Sequence, residues 1–513
     1  MTGKEREKNI FMQIMDHSGK VYIILTFLWL LICAAAYLIL CISPVCDYDE
    51  SYTVSMISHS FSDIVKITSN DVHSPVYYFL VRLFSFLPGI SYVHAPKLFS
   101  YVCTIAFLIL GSVFLNRKYN AVTAFYFVFI ASVSPMMISQ VCNGRMYAAG
   151  LLFFSVTLYE AHLLTEEIKA SRVAAFMISA VITVWLHNVF MTMTVFLFII
   201  YLCLSLIRKD CKSFRIFLLS GFVTGASFLP WLFVTLKQFS NKNSSGSVMH
   251  PLSDFAWYRE YFRFWKDELF SGTFYTNGWM VRFWIALFLL MIPVLIIYIR
   301  KNRNDLLPLV GPVIMFLTFL ITGILLLMYS GQFFARYAFP AFSGIWLTAA
   351  VLFSFDPFNK KPLKIAFSIF RVFLLVTALV FGIKTYAGQK AGLSVSGIAE
   401  YLSCMEEVED GDAVMFSDTW SSLLQIYDTD EEYWIYGHNP EGMPFEYKGV
   451  YTNAAQMDEY SRVWLVGNDM IQINSMGEGY TEKKSIEFDH HSYHFIVKLY
   501  EKSFGAVRSF FYI

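Results

Sequence analysis

Three carboxylates within four residues, Asp47, Asp49 and Glu50, follow directly on an apolar segment long enough to cross a membrane. A second polar run, Asp71-Val72-His73-Ser74-Pro75-Val76-Tyr77-Tyr78, comes soon after. A single loop carboxylate is commonly just solvated, but a cluster held at a membrane surface can take a proton from a hydroxyl nucleophile, so the stretch points to general-base chemistry. Further along, polar residues collect at Gln140-Val141-Cys142-Asn143-Gly144-Arg145-Met146-Tyr147, at His187-Asn188, and at Gly331-Gln332-Phe333-Phe334-Ala335-Arg336-Tyr337-Ala338-Phe339-Pro340. A guanidinium placed away from the other basic loops suits an anion, and a phosphate at headgroup level is the obvious one. The simpler alternative is that Arg145 and Arg336 snorkel to lipid phosphates without a specific ligand. His187 equally suits a structural role at a hairpin tip.

The elements that must position these residues are membrane helices. With 56% hydrophobic and 18% aromatic residues, a chain of 513 residues is polytopic. Apolar length places about eleven spans, near 21–43, 94–115, 121–140, 146–164, 173–187, 188–207, 214–236, 281–299, 306–328, 334–355 and 364–386. The first exceeds a signal-peptide core and lacks a small-residue cleavage site, so it reads as retained. Lys and Arg then sort to one face in six groups: Lys4, Arg6, Lys8 and Lys20; Arg117 and Lys118; Lys169 and Arg172; Arg208, Lys209, Lys212 and Arg215; Arg300, Lys301 and Arg303; Lys360, Lys361 and Lys364. By the positive-inside rule that face is cytoplasmic, which puts residues 1–20 inside and residues 387–513 outside. Residues 75–87, short and carrying Arg82, fit an amphipathic helix lying in the interface rather than a span.

Two long outer loops follow, 44–93 and 237–280. The second begins with a polar run, Ser240 to Ser247, that reads as flexible. It continues into Phe255 to Lys266, aromatic and basic at helical spacing, as either a second interfacial helix or an anchoring aromatic belt. Of eight cysteines, Cys33, Cys41, Cys103, Cys203 and Cys211 lie in or beside spans. Cys46 and Cys142 fall on the outer side, where a disulfide could join them. Residues 387–513 carry 8 Lys and Arg against 21 Asp and Glu, while the rest carries 31 against 18. An acidic tail argues against a nucleic-acid partner. Its alternating signals, helical at Val395 to Met405 and Trp420 to Tyr427, strand-like at Asp412 to Ser417, Tyr433 to Tyr436 and Arg462 to Gly467, with a hairpin at Ile486 to Phe488 and Tyr493 to Leu499, describe a small α/β domain with a mainly parallel sheet. It carries no phosphate fingerprint, nucleophile elbow or metal spacing, so support or acceptor recognition is its expected role.

In order along the chain, Asp49-Glu50-x-Tyr52, Asp71-x-His73-Ser74-Pro75-x-Tyr77-Tyr78, Arg145-x-Tyr147 and Arg336-Tyr337-x-x-Pro340 resemble the motifs of the protein O-mannosyltransferase and aminoarabinose-transferase superfamily, membrane glycosyltransferases of the GT-C class. The resemblance covers about residues 20–386. One departure is His73-Ser74-Pro75 where the family has His-Pro-Pro. Proline is kept at the first turn of the helix that follows. The resemblance implies a GT-C-like transmembrane domain over 21–386, interfacial helices in the first outer loop, and an extracytoplasmic α/β domain. It also implies a polyprenyl-phosphate-linked sugar donor and inverting transfer to a hydroxyl of a lipid, glycopolymer or protein.

On that resemblance the catalytic pair is Asp49, the base, and Glu50, which positions the acceptor or donor; Arg145, Tyr147, Arg336, Tyr337 and His73 hold the donor phosphate or sugar. Asp47, Tyr52, Asp71, Tyr77 and His187 position substrate. No second acidic motif appears near Arg145, so an obligatory metal is not implied, although a divalent cation is left open. The setting fits a bacterial cytoplasmic membrane. A flippase or transporter of a lipid-linked sugar is the alternative, but the polar clusters lie at one face rather than in a repeated pair of broken spans. A mere anchor for the outer domain would need one span, not eleven.

Overall fold

The computed structural model describes residues 3–71, 73–244, 259, 278–322, 335–428, 433–436, 443–451, 459–468 and 479–502. Phe255 to Lys266, apart from Arg259, lies outside the described residues, as does Gly331 to Phe334. The helices run α1 Gly3–Cys41, α2 Tyr48–Ser58, α3 Phe61–Asn70, α4 Val76–Ser85, α5 Ala95–Lys118, α6 Ala121–Ser132, α7 Pro135–Val141, α8 Tyr147–Leu164, α9 Ala170–Leu186, α10 Asn188–Ile207, α11 Cys211–Ser244, α12 Gly278–Lys301, α13 Leu307–Leu317, α14 Phe342–Ser354, α15 Lys361–Gly392 and α16 Ile398–Met405. A 3₁₀ turn, Ala335–Ala341, leads into α14.

Among the described residues eight helices are long and apolar enough to cross a membrane, and α6 with α7 forms one more run, bent by 67°. The bend falls where Pro135 opens α7, a position at which proline's missing N–H has no helical partner to lose. Ala170–Leu186 and Leu307–Ile321 are apolar but shorter. Each expected span therefore falls on apolar helix as far as the described residues reach, the one at 121–140 on two helices and the one at 306–328 up to residue 322, and the chain is an integral membrane protein. α4, at 10 residues, is too short to cross, as its composition implied. Ser240 to Ser244 differ from expectation: they continue α11 instead of opening a flexible run.

The chain folds as two compact units, one of residues 1–42, 72–77 and 97–389, the other of 43–71, 78–96 and 390–513. In the first, small residues let helices approach closely. Gly311 of α13 faces Gly344 of α14, where a Cβ added to either would lie 2.3 Å from the other's backbone. Tyr37 of α1 donates to the Ser132 carbonyl at 2.5 Å, tying the first span to the end of α6 just before the bend.

The second unit is built on six strands, β1 Ala413–Phe416, β2 Tyr433–Tyr436, β3 Gly449–Tyr451, β4 Arg462–Asn468, β5 Tyr480–His490 and β6 Tyr493–Lys502, in the order β3-β2-β1-β4-β6-β5. The pairs β1–β2, β1–β4 and β2–β3 are parallel, whereas β6 runs antiparallel to both β4 and β5. All four residues of β1 are buried, the pattern of a strand covered on both faces. Val414, Phe416, Trp464 and Val466 share a core with Tyr401 of α16 and with Leu423 and Leu424 of the 3₁₀ turn Ser421–Tyr427. In the same unit α4 packs beside α2 and α3: Arg82 donates to the Ile57 carbonyl, its guanidinium 5.4 Å from the Phe61 ring and 5.5 Å from Phe86. Those partners explain how an apolar helix of this length tolerates the charge.

Candidate active site

The acidic cluster forms the first turn of α2. Asp47 is its N-cap: the carboxylate accepts from the Glu50 N–H at 2.8 Å, and the Glu50 carboxylate accepts from the Asp47 N–H at 3.1 Å. This reciprocal capping box satisfies two of the amide donors that every helix start leaves over. Glu50 is only 4% exposed, while Asp47 and Asp49 are half-buried. Asp49 is thus the cluster's carboxylate outside the capping box.

Although Asp47 keeps part of its surface open, the protein packed around it raises its carboxyl to about 6; burial is the main cause, then the charges of Glu50 and Asp49, opposed by His491 and by the Glu50 N–H. The turn therefore takes up a proton far more readily than isolated carboxylates would. Tyr52, one turn along α2, donates to Asp71 at 3.0 Å and lies 6.2 Å from the Tyr78 ring. The structure brings together Tyr52 and Asp71, residues that the sequence only placed in the same loop.

Within the first unit a second group gathers from four separated segments. Arg145, in the short connection between α7 and α8 and 4% exposed, sends its Nη2 to His73 Nε2 at 2.8 Å. A guanidinium can only donate, so this nitrogen of His73 accepts and its proton sits on Nδ1. The His73 ring lies 5.5 Å from His187, and His187 lies 5.1 Å from Tyr337. Tyr337 is 6.2 Å from Tyr147, over whose ring the Arg336 guanidinium sits at 5.9 Å. His187 has the structural role its position suggested: it caps α10, Nδ1 accepting from the Val189 N–H at 3.1 Å, which leaves its proton on Nε2. The same ring also joins His73 to Tyr337, so capping and site membership coincide.

Local sequence explains how these segments are held. Ser74 donates to the Trp185 carbonyl, fastening the His73 loop two residues before His187. Ser100 of α5 donates to the Asn143 carbonyl at 2.7 Å and fixes the connection that carries Arg145. Tyr77 is fully buried, its ring 6.3 Å from that of Phe99. Lys97 escaped sequence reasoning. It is 0% exposed and lies three residues before Ser100, hence on the same face of α5. Its signal was a lysine inside an apolar stretch and remote from the six basic loops.

Among the described residues no group of three or more His, Cys, Asp or Glu could hold a metal ion. The cationic group instead presents guanidinium donors, phenols and imidazole N–H groups, a set suited to phosphate oxygens. Cys46 and Cys142 are both buried thiols.

No family model matches the chain, and no curated protein matches it in sequence. Solved structures do. ArnT from Cupriavidus metallidurans in the apo state aligns with a TM-score of 0.59 and 11% identity over 92% of this chain and 97% of that one. The same protein bound to undecaprenyl phosphate aligns with a TM-score of 0.56 and 10% identity over the same shares. At such identity the likeness is one of fold, and the fold is the one the motifs implied: this chain has the architecture of the GT-C membrane glycosyltransferases.

Proposed function

We propose that this protein is an inverting glycosyltransferase that moves a sugar from a polyprenyl-phosphate carrier to a hydroxyl acceptor on the outer face of a bacterial cytoplasmic membrane. The observation that carries the reading is the gathering of Arg145, Arg336, His73, His187, Tyr147 and Tyr337 into one group. The fold is that of a protein captured with undecaprenyl phosphate.

The chemistry divides between the two clusters. Asp49 accepts the proton of the acceptor hydroxyl as its oxygen attacks the anomeric carbon. The bond to the carrier phosphate breaks on the opposite side, which inverts that carbon. The departing phosphate is already a stable anion, so it needs cations rather than a general acid. Arg145 and Arg336 supply the charge. Neutral His73, held by Arg145, and the phenols of Tyr147 and Tyr337 orient phosphate or sugar. Glu50 and Asp47 shape the turn that carries the base, and Tyr52, hydrogen-bonded to Asp71, positions substrate beside it.

The test is release of polyprenyl phosphate from a panel of polyprenyl-phosphate sugars by the full chain in lipid nanodiscs, with Asp49→Asn and Arg145→Ala alongside. Turnover of one donor, lost in both variants, supports the reading and names the sugar. Movement of a donor between leaflets without release would replace it with a flippase, the class in which a bent helix such as α6–α7 would line the path.

A further inference from the structure

A base must be held to within about half an ångström of its working position. Asp49 lies on the first turn of a helix that starts one residue earlier, at Tyr48. The capping box fixes that turn internally but not where the helix points. In the second unit the C-terminal segment does this. Tyr427, at the end of the 3₁₀ turn after β1, donates from its hydroxyl to the Pro44 carbonyl at 3.0 Å and accepts from the Cys46 N–H at 3.0 Å. His490 Nε2 stands 3.3 Å from the same oxygen. A phenol has one proton and two lone pairs; with its proton given to Pro44, the His490 nitrogen must donate. All three capacities of the hydroxyl are thereby used, on a carbonyl and an amide in the segment that immediately precedes the cap Asp47 and on the fully buried His490. Burial pushes the phenol far above its ordinary range, so it remains a donor.

Other contacts fix the rest of α2 to the same segment. The Tyr48 ring lies 4.4 Å from Trp420 and 6.2 Å from Phe445. Ser55 donates to the Pro444 carbonyl at 2.7 Å, and His59 Nε2 reaches that carbonyl at 2.5 Å. Ser43 donates to the Leu393 carbonyl at 2.8 Å. The winding of the sheet reverses between β1 and β4, the place where an open α/β sheet offers its ligand crevice. Here the 3₁₀ turn leaving β1 is packed by α2.

We propose that Tyr427 is a positioning residue, through which the C-terminal α/β domain locks the segment leading into the acidic turn and so holds Asp49 for proton transfer. The proposal rests on Asp49 being the base. It makes the domain a brace for catalysis rather than a separate binding module.

Tyr427→Phe, which keeps the ring and removes the hydroxyl, tests it in the full chain in nanodiscs with two readouts. Hydrogen exchange of the amides of Cys46 to Ser51 should quicken about tenfold, as expected for lost buried hydrogen bonds, while β1, β4 and β6 stay protected. The kcat for release of polyprenyl phosphate should fall about tenfold or more with donor KM within about twofold, the split expected when geometry rather than binding is lost. Tyr401→Phe, which removes a buried phenol 3.4 Å from Tyr433 in the core of the same domain, should change neither. Unchanged exchange at Cys46 to Ser51, or quickened exchange with unaltered kcat, overturns the proposal. A wild type that releases no polyprenyl phosphate from any donor would instead remove Asp49's role as base, and exchange alone would then decide whether Tyr427 is a brace.

Discussion

Asp47, Asp49 and Glu50 come from one helical turn, whereas Arg145, Arg336, His73 and His187 come from four segments far apart in sequence. The acidic turn makes its own hydrogen bonds through the capping box. The cationic group has no local solution of that kind. His73 is placed by Ser74 on the Trp185 carbonyl, Arg145 by Ser100 on the Asn143 carbonyl, and His187 by its own cap on α10. A cluster drawn from one turn can be damaged only from within or through what orients the turn. An assembled cluster can be damaged at any of its anchors.

The largest effect should come from the acidic side. Asp49→Asn removes the proposed proton acceptor while leaving the capping box of Asp47 and Glu50 intact, so turnover should fall about 10²- to 10⁴-fold with little change in thermal stability. Normal turnover in that variant would end the assignment of Asp49. On the cationic side, Arg145→Ala should lower kcat/KM about 10²- to 10³-fold, the usual cost of removing a donor aimed at developing negative charge. His73→Ala should cost less, about ten- to a hundredfold, because it removes one charge-assisted hydrogen bond and leaves the guanidinium in place. Single-turnover kinetics on the three variants sharpens the comparison: Asp49→Asn should slow the chemical step with donor binding kept, whereas Arg145→Ala should weaken both. Equal kinetic signatures would show that the two clusters do not divide the work.

The same contrast explains what was legible in the sequence. Apolar length found the helices because lipid leaves a backbone few alternatives, and strand periodicity found β1, β2, β4 and the terminal hairpin. β3, three residues from Gly449 to Tyr451, was missed because so short a strand exists only through its pairing with β2. Polar composition alone predicts a flexible run at Ser240 to Ser244, but these residues extend α11, which propagates past its apolar part. In the candidate site, Asp47 to Glu50 were visible as a cluster since their neighbours in sequence are their neighbours in space. Arg145, His73, His187 and Arg336 were visible only as residues out of place. Their mutual contacts, the buried Lys97 and the hydroxyl of Tyr427 depend on pairings across the chain that no local pattern encodes.

The smallest effect isolates the electrostatics of the acidic turn. Folded, Asp47 holds its proton up to about pH 6 because burial and two neighbouring carboxylates disfavour its charge. Unfolded, it would lose that proton near its ordinary value of 3.8. The native state therefore binds more protons between those values, and its stability from this group is full below about pH 4 and declines as pH rises through 6. Asp47→Asn keeps a capping oxygen and abolishes the titration. It should flatten the decline and raise stability at pH 7 by on the order of 1–2 kcal/mol once screening at the exposed edge is allowed for. Thermal unfolding in detergent across pH 4 to 8 measures this. Turnover should respond in the opposite sense: protonating the turn removes negative charge beside Asp49 and weakens it as a base, so wild-type kcat should drop as pH falls through about 6, with a lower midpoint in Asp47→Asn. A midpoint that stays at 6 in the variant would assign the titration to another group and leave the turn's charge without a part in catalysis.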